Sequence, residues 1–480
     1  MSLLTITGCK KSSGDPDPGP GPGPGPSPSF DINTLADTYS ALAPFANYLQ
    51  WGPYNVHDPS IVKNGEWFYS FSTDAGYGIS VRPGLQIRKS KDLIQWFYVG
   101  WVFNGLPAQG ANFISQSGGT AFQSLWAPYV IKAGSQFRLY YSLSCSVPRL
   151  SVIGLATATN LDGPWTEQGL VVVSKDDATI QTNAIDPTVV ITPSGEHWMY
   201  YGSAWDGIYI LKLNPATGLA QNSGDKGIRI AQRGFAGSTP NGNIEGAEII
   251  YNAEQSKYYL FIAYDWLETK YNVRVARSSS PQGPFLDFNG NDVNNVADDG
   301  PMIIAPYQFQ GHGGWQGTAH CSVFSDNGQY YMAHQGRPGV DKYFMVMHVR
   351  KIFWMENGWP VVSPERYANV PQTAIASADL AGNWEQIVLG YQVVPGYANE
   401  QTSPNFQVAT NLTLNADGKI NGAAANSWTY TAPWLTLNWN GGAFVDKLHV
   451  SRERDWENKD TTIVITGLNQ FGTAIWGKKK

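Results

Sequence analysis

Short runs of alternating apolar and polar positions dominate this chain, and helix-forming stretches are scarce. Alternation with a period of two places successive side chains on opposite faces of a strand, so the pattern predicts an all-β protein. One motif recurs inside it. Adjacent aromatics stand at Phe68-Tyr69, Tyr140-Tyr141, Tyr200-Tyr201, Tyr258-Tyr259 and Tyr330-Tyr331, roughly every 60–70 residues. A turn precedes each pair, as at Asn64-Gly65, Ser194-Gly195 and Asp326-Asn327-Gly328, which predicts a hairpin. Before several of the turns lies a β-branched run, such as Val189-Val190-Ile191. A third and a fourth strand follow, and two repeats close on Gly163-Pro164-Trp165 and Gly283-Pro284-Phe285. Four strands per unit and five units predict a five-bladed β-propeller over residues 31–380. A β-solenoid is the alternative, but its rungs are usually shorter than these repeats.

The repeat stops near Ser377, and residues 381–480 carry their own alternation, as in Leu412–Ile420 and Leu435–Trp439. A separate small antiparallel β-sandwich or barrel is expected there. Its Trp434, Trp439, Trp456 and Trp476 are expected mainly in its core, with a sugar-binding face as the second reading. At the other end, residues 10–30 include the Gly/Pro-rich run 14–28, whose period of two excludes collagen and reads as an extended tether. Residues 1–9 end in Gly8-Cys9 after a short apolar run, a pattern that resembles the lipid-attachment box of bacterial lipoproteins. No basic segment precedes it. Together these features predict an exported bacterial lipoprotein held at the outer membrane or cell surface through Cys9. Cys145 and Cys321 lie in different repeats, so no disulfide framework is expected.

Composition narrows the partners. The chain of 480 residues is 42% hydrophobic and 15% charged, with a formal net charge of -6, which argues against a nucleic-acid partner. No basic aromatic stripe, P-loop or dinucleotide fingerprint is present, and a monomer is expected. Three acids stand at the openings of three repeats: Asp58 in His57-Asp58-Pro59, Asp186 in Ile185-Asp186-Pro187 and Glu245 in Ile244-Glu245-Gly246. A single Asp-Pro pair is usually a strand start. Three acids in register are different, because rotation about one axis brings them together. An inverting glycosidase needs one carboxylate to activate water and one carboxylic acid to protonate the leaving oxygen, about 6.5–9.5 Å apart. A third carboxylate beside the acid keeps it protonated by like-charge repulsion. Glu248 competes with Glu245 for the acid role, but Glu245 stands at the repeat opening. In the second repeat the matching place holds Trp126, suited to stack on a sugar ring; His57, Asn183 and Ser203 flank the site with hydrogen-bonding groups. In the fifth repeat it holds His320, while His312 and the Asp287–Asp292 segment read as ordinary loop and turn.

The segments His57–Ile61, Asn183–Pro187 and Ile244–Ala247 resemble the three catalytic segments of glycoside hydrolase family 43. Tyr201–Ile208 and His348–Trp354 with Gly358–Tyr367 are similar to its arabinanase branch, and the resemblance covers roughly residues 50–370. The tail, with Asp455-Trp456-Glu457 and Gly472–Lys478, resembles the C-terminal β domain of some extracellular endo-arabinanases. The resemblance implies Asp58 as general base, Glu245 as general acid and Asp186 as the modulator that tunes and orients the acid. It implies inverting cleavage of α-1,5-linked L-arabinan, a plant cell-wall polysaccharide, by endo action. An exo-acting arabinofuranosidase or β-xylosidase of the same family is an alternative, and a non-catalytic glycan-binding propeller is another. The resemblance also implies calcium at His320, although Ala319 stands where the family usually has Gly.

Overall fold

The computed structural model describes residues 30–78, 81–175, 182–236, 239–295, 301–390 and 402–480. Cys9 and nearly all of the tether lie outside the described residues. The alternating segments form strands, and each aromatic pair falls on the second strand of its repeat. The first sheet orders Ser60–Asn64, Trp67–Ser72, Gln86–Ser90 and Phe97–Trp101; the second orders Trp126–Ala133, Gln136–Ser144, Ser151–Ala158 and Thr166–Ser174. The third contains Thr188–Ile191, His197–Tyr201, Ile208–Leu213 and Ile228–Ala231; the fourth, Ile244–Asn252, Lys257–Tyr264, Asn272–Ser278 and Met302–Ile304.

Here the expectation of five equal blades needs correction, since four discrete four-stranded sheets are found. The fifth repeat, Cys321–Asp326, Gln329–Pro338, Val346–Trp354 and Pro360–Val362, does not form a sheet of its own. Its long second strand runs on past the sector and pairs Trp315 and Gln316 with Pro338 and Arg337. Through that edge it recruits Tyr307–Gln308 and then Gln407–Val408, giving a seven-stranded sheet.

Packing explains why the aromatic pair marks the repeat. Neighbouring residues on a strand face opposite ways, and these sheets are covered on both faces. Tyr141 enters the core between the first and second sheets, while Tyr140 enters the core between the second and third. Tyr200 and Tyr201 divide in the same way, as do Tyr258 and Tyr259. Each pair therefore fills two interfaces at once.

The first strands of the sectors neighbour one another in a closed ring: Ser60–Asn64 with Trp126–Ala133, then Thr188–Ile191, Ile244–Asn252, Cys321–Asp326 and back. Side chains stitch this ring. Ser60 Oγ accepts the N–H of Val130 at 3.0 Å, Glu248 Oε1 accepts that of Val323 at 2.9 Å, and Ser322 Oγ accepts that of Ile61 at 3.1 Å. Tyr129 Oη donates to the Val189 carbonyl at 3.0 Å, and Thr188 Oγ1 accepts from Ile249 at 3.4 Å. These bonds join first strands that strand pairing leaves unconnected.

Residues Gly382–Lys479 form a closed antiparallel barrel of eight strands. Trp384 and Trp476 are fully buried, Trp439 Nε1 donates to Asp446 at 2.7 Å, and Trp456 Nε1 donates to the Arg366 carbonyl at 2.7 Å. These tryptophans therefore serve packing and domain contact. No described helix is long and apolar enough to cross a membrane.

Candidate active site

Every first strand of the ring is entered through a residue with left-handed backbone: Asp58 (φ 51°), Ala127 (32°), Asp186 (57°), Gly246 (57°) and His320 (53°). For the four that are not glycine such conformations cost about 1–3 kcal/mol each and persist only where the surroundings enforce them. The enforcement comes from the preceding sector. The N–H of Asp58 donates to Gln335 Oε1 at 3.0 Å, that of Ala127 to Thr73 Oγ1 at 2.7 Å, and that of Asp186 to Ser142 Oγ at 3.1 Å. Gly246 donates to Asp186 Oδ2 at 3.2 Å. By this register Glu245 and Trp126 stand one residue ahead of Asp58 and Asp186, rather than level with them. Both their strands carry an irregularity just afterwards, between Glu245 and Glu248 and between Trp126 and Tyr129, which restores the common pairing.

His57, Asp58, Trp126, Asn183, Asp186, Ser203, Glu245 and His320 line one cavity of about 300 Å³ at the centre of the ring. All the side chains singled out as site residues in the sequence thus meet. Glu248 lies off this cavity, 3% exposed, and is committed to Val323 and to the hydroxyl of Thr188 at 2.8 Å.

Three contacts hold Asp58. Thr73 Oγ1 donates to Oδ2 at 2.6 Å, His57 Nδ1 lies 2.7 Å from the same oxygen, and His320 Nδ1 lies 3.1 Å from Oδ1. Burial pushes this carboxyl up, yet His57 and His320 outweigh burial and hold it well below the usual carboxylate range. His320 responds in kind. Burial lowers it, but Asp58, then Asp186 and Glu245, raise it to about 9. Asp186 behaves oppositely to Asp58: burial first, then Glu245 and Asp58, push it up to about 8 against the pull of His320. Two carboxyl groups in one pocket are thus driven apart, one ionised and one protonated at neutral pH. Glu245 takes a hydrogen bond on each oxygen, from Ser203 Oγ at 2.6 Å and from Tyr271 Oη at 2.7 Å.

The remaining wall combines a platform with polar points. Trp126 is anchored by Nε1 donating to Ser124 Oγ at 3.1 Å, and it stacks on Phe122 with ring centroids 5.4 Å apart. Asn183 Oδ1 is buried without a protein partner among the described residues. Thr73, Ile185, Leu267 and Tyr271 also line the cavity and were missed in the sequence. Thr73 follows directly on a predicted second strand, so its place at the channel mouth could have been read. Leu267 and Tyr271 sit in a loop with no periodic signal.

Charge and coordination give different answers about calcium. Three carboxyl groups around His320 favour a positive charge at that spot. Calcium, however, takes six to eight oxygen ligands. Among the described residues, the only three His, Cys, Asp or Glu ligand atoms that converge are those of Glu365, Asp455 and Glu457, away from this cavity. His320 offers nitrogen, and its Nδ1 faces Asp58. The protein side of a calcium shell is therefore incomplete. His312 and the Asp287 segment keep ordinary roles: His312 Nε2 lies 2.8 Å from Asp37, and Asp287 Oδ1 accepts the N–H groups of Asn289 and Asn291 in a turn.

Residues 52–360 match the family model described as glycosyl hydrolases family 43, and residues 364–477 match a C-terminal lipocalin-like domain. An extracellular endo-α-(1→5)-L-arabinanase of Thermotoga petrophila is 27% identical over 464 residues, covering 88% of this chain and 93% of the relative. The crystal structure of an endo-1,5-α-L-arabinanase from Thermotoga petrophila RKU-1 aligns with a TM-score of 0.77 at 26% identity, covering 89% of this chain and 98% of the other. A Cellvibrio cellulosa α-L-arabinanase complexed with arabinohexaose aligns with a TM-score of 0.56 at 28% identity, covering 64% and 95%.

Proposed function

The chain belongs to glycosyl hydrolases family 43, and from that membership we propose that it cleaves α-1,5-linked L-arabinan within the chain, with inversion. The observation that carries the reading is the convergence of Asp58, Asp186 and Glu245 on one cavity, where two imidazoles flank Asp58. Asp58, kept ionised by His57 and His320, is the base that takes a proton from water as the water attacks the anomeric carbon. Glu245 is the acid that protonates the leaving oxygen. Asp186, held protonated to about 8, keeps one proton within the acid pair at neutral pH and orients Glu245 through the Gly246 amide. Trp126 supplies a stacking face, while Asn183, Ser203 and His57 meet sugar hydroxyls. Endo action draws its support from the arabinanases that match nearly the full length of this chain.

We read the fifth repeat as a fifth blade, since its first strand completes the inner ring. Export is supported by the extracellular relatives, and attachment to a membrane through a lipid on Cys9 extends that reading. Calcium on His320 is a separate proposal: titration calorimetry should detect calcium binding that His320→Ala abolishes, and equal heats from both proteins would remove it.

The test of the activity is direct. Debranched arabinan should yield reducing ends, first as oligosaccharides, with the product anomer inverted by NMR. Asp58→Asn and Glu245→Gln should each lose about 10²–10⁴-fold in kcat, the usual worth of one acid or base. Arabinose as the sole early product would establish exo action, and full activity in either variant would end the assignment.

A further inference from the structure

A carboxylic acid that protonates a leaving group must present one oxygen along one line. A glutamate carries three side-chain torsions, so its carboxyl plane has to be fixed by neighbours. Glu245 is fixed at both oxygens, and the two donors come from different sectors. Ser203 follows the third sheet's second strand, and Tyr271 leads into the fourth sheet's third strand. Tyr271 is 1% exposed and Ser203 is 4% exposed, so neither hydroxyl is free to exchange this partner for bulk water. The backbone around Ser203 is itself held: the N–H of Asn183 donates to its carbonyl at 3.3 Å, and the N–H of Ala204 donates to the Ile244 carbonyl at 2.9 Å, one residue before the acid. Tyr271 is held through its own carbonyl, which accepts from Thr318 Oγ1 at 3.2 Å.

We propose that Tyr271, with Ser203, is a two-point clamp that fixes the carboxyl plane of Glu245 for proton donation. Tyr271 is then a positioning residue, acting on the substrate only through the acid, and the proposal rests on reading Glu245 as that acid. The proton count is consistent. Ionised Glu245 accepts from both hydroxyls. Protonated Glu245 keeps one accepting oxygen and commits the other to its own proton, so at least one clamp bond survives in each state. A serine hydroxyl rotates freely to yield its place, whereas a phenol hydroxyl stays near its ring plane.

The experiment compares two leaving groups on the intact chain. One substrate is debranched arabinan, whose leaving alcohol needs protonation. The other is an aryl arabino-oligoside carrying a dinitrophenolate, which departs without an acid. Tyr271→Phe should lose about 10–100-fold in kcat on arabinan, a fraction of a full general acid's worth, with KM little changed. On the activated aryl substrate it should lose less than about threefold. Equal losses on both substrates would mean that Tyr271 merely supports the cavity, and wild-type rates on arabinan would mean that it does nothing; either result overturns the clamp. Glu245→Gln is run alongside. If it shows no leaving-group split, the acid assignment itself has failed, which separates that failure from a failure of the clamp.

Discussion

Asp58 and Asp186 share a residue type, a backbone conformation and nearly equal burial, yet their protonation is opposite. The difference lies in what faces each of them. Asp58 meets two imidazoles, whereas Asp186 is pulled down by one, that of His320, against burial joined by Glu245 and Asp58. This asymmetry makes a pH prediction. A base works only when ionised, so activity falls as pH drops through its pKa. Burial alone would raise Asp58, and His57 is the largest force opposing burial. His57→Ala should therefore move the acid limb of the kcat/KM profile toward higher pH while leaving the alkaline limb in place. An unmoved acid limb would show that His57 does not hold the base. Gly246 makes a second residue-scale prediction. A Cβ there would lie 3.0 Å from the His320 ring, at a backbone φ of +57°. Gly246→Ala should lower stability by about 1–3 kcal/mol in a denaturant titration. The acids themselves were legible in the sequence because each opens a repeat, and repetition converts an ordinary Asp-Pro turn into a rotated set. What could not be read was the one-residue lead of Glu245. It depends on a bulge, and a bulge leaves no trace in an apolar–polar pattern.

At the scale of the element, the inner ring has a rule that Glu248 follows in an unusual way. Its position is filled by Ser60, Thr188 and Ser322 in other sectors, small hydroxyls that accept an N–H from the next strand. Glu248 does the same work with a carboxyl group, and burial raises it to about 7. A buried acid with a raised pKa stabilises the fold fully below its unfolded value of 4.5. Between there and about 7 the unfolded chain releases its proton first, so this contribution declines as pH rises. Glu248→Gln, which is permanently neutral, should remove that decline, and the stability difference between variant and wild type should grow in the variant's favour from pH 4.5 to 7. Glu248→Leu should instead cost about 3 kcal/mol, since it strands the Val323 N–H and the Thr188 hydroxyl in the core. Parallel pH curves for Gln and wild type would refute the ionisation argument while leaving the bonding argument standing. Strand identity was readable at this scale because every blade repeats one aromatic pair that fills two cores. Blade separateness was not. Whether the fifth sheet ends at Pro338 depends on pairing with Trp315 and Gln316, segments distant in sequence and too short for alternation to register.

Over the whole molecule, the propeller and barrel meet at a buried charge cluster that no local pattern announces. Lys478, on the last strand of the barrel, lies 3.0 Å from Glu365, 3.0 Å from Asp455 and 2.6 Å from Glu457. Glu365 belongs to the segment that leaves the last propeller strand, while the other acids belong to the barrel, so one ammonium joins both domains. Against the upward push of burial, Lys478 pulls Glu457 down to about 2, whereas burial and Glu457 hold Glu365 well above its usual range. One ammonium therefore faces three acids, of which Glu365 is held neutral, with Glu385 3.8 Å away as a fourth. Removing the cation leaves buried anions with no counter-charge, a change that costs about 3–5 kcal/mol in comparable pairs. Lys478→Met keeps the volume and removes only the charge. Calorimetry should show a lower Tm, with kcat on debranched arabinan unchanged below the new transition. The two domains should still unfold together, because one apolar core joins them: Ile387, Leu389, Leu468, Ala474 and Trp476 of the barrel pack with Met302, Ile304, Tyr307 and Val362 of the propeller. An unchanged Tm would mean that this shared core, the Thr466 hydroxyl bond to the Val362 carbonyl and the Lys351–Glu453 pair hold the domains together without Lys478.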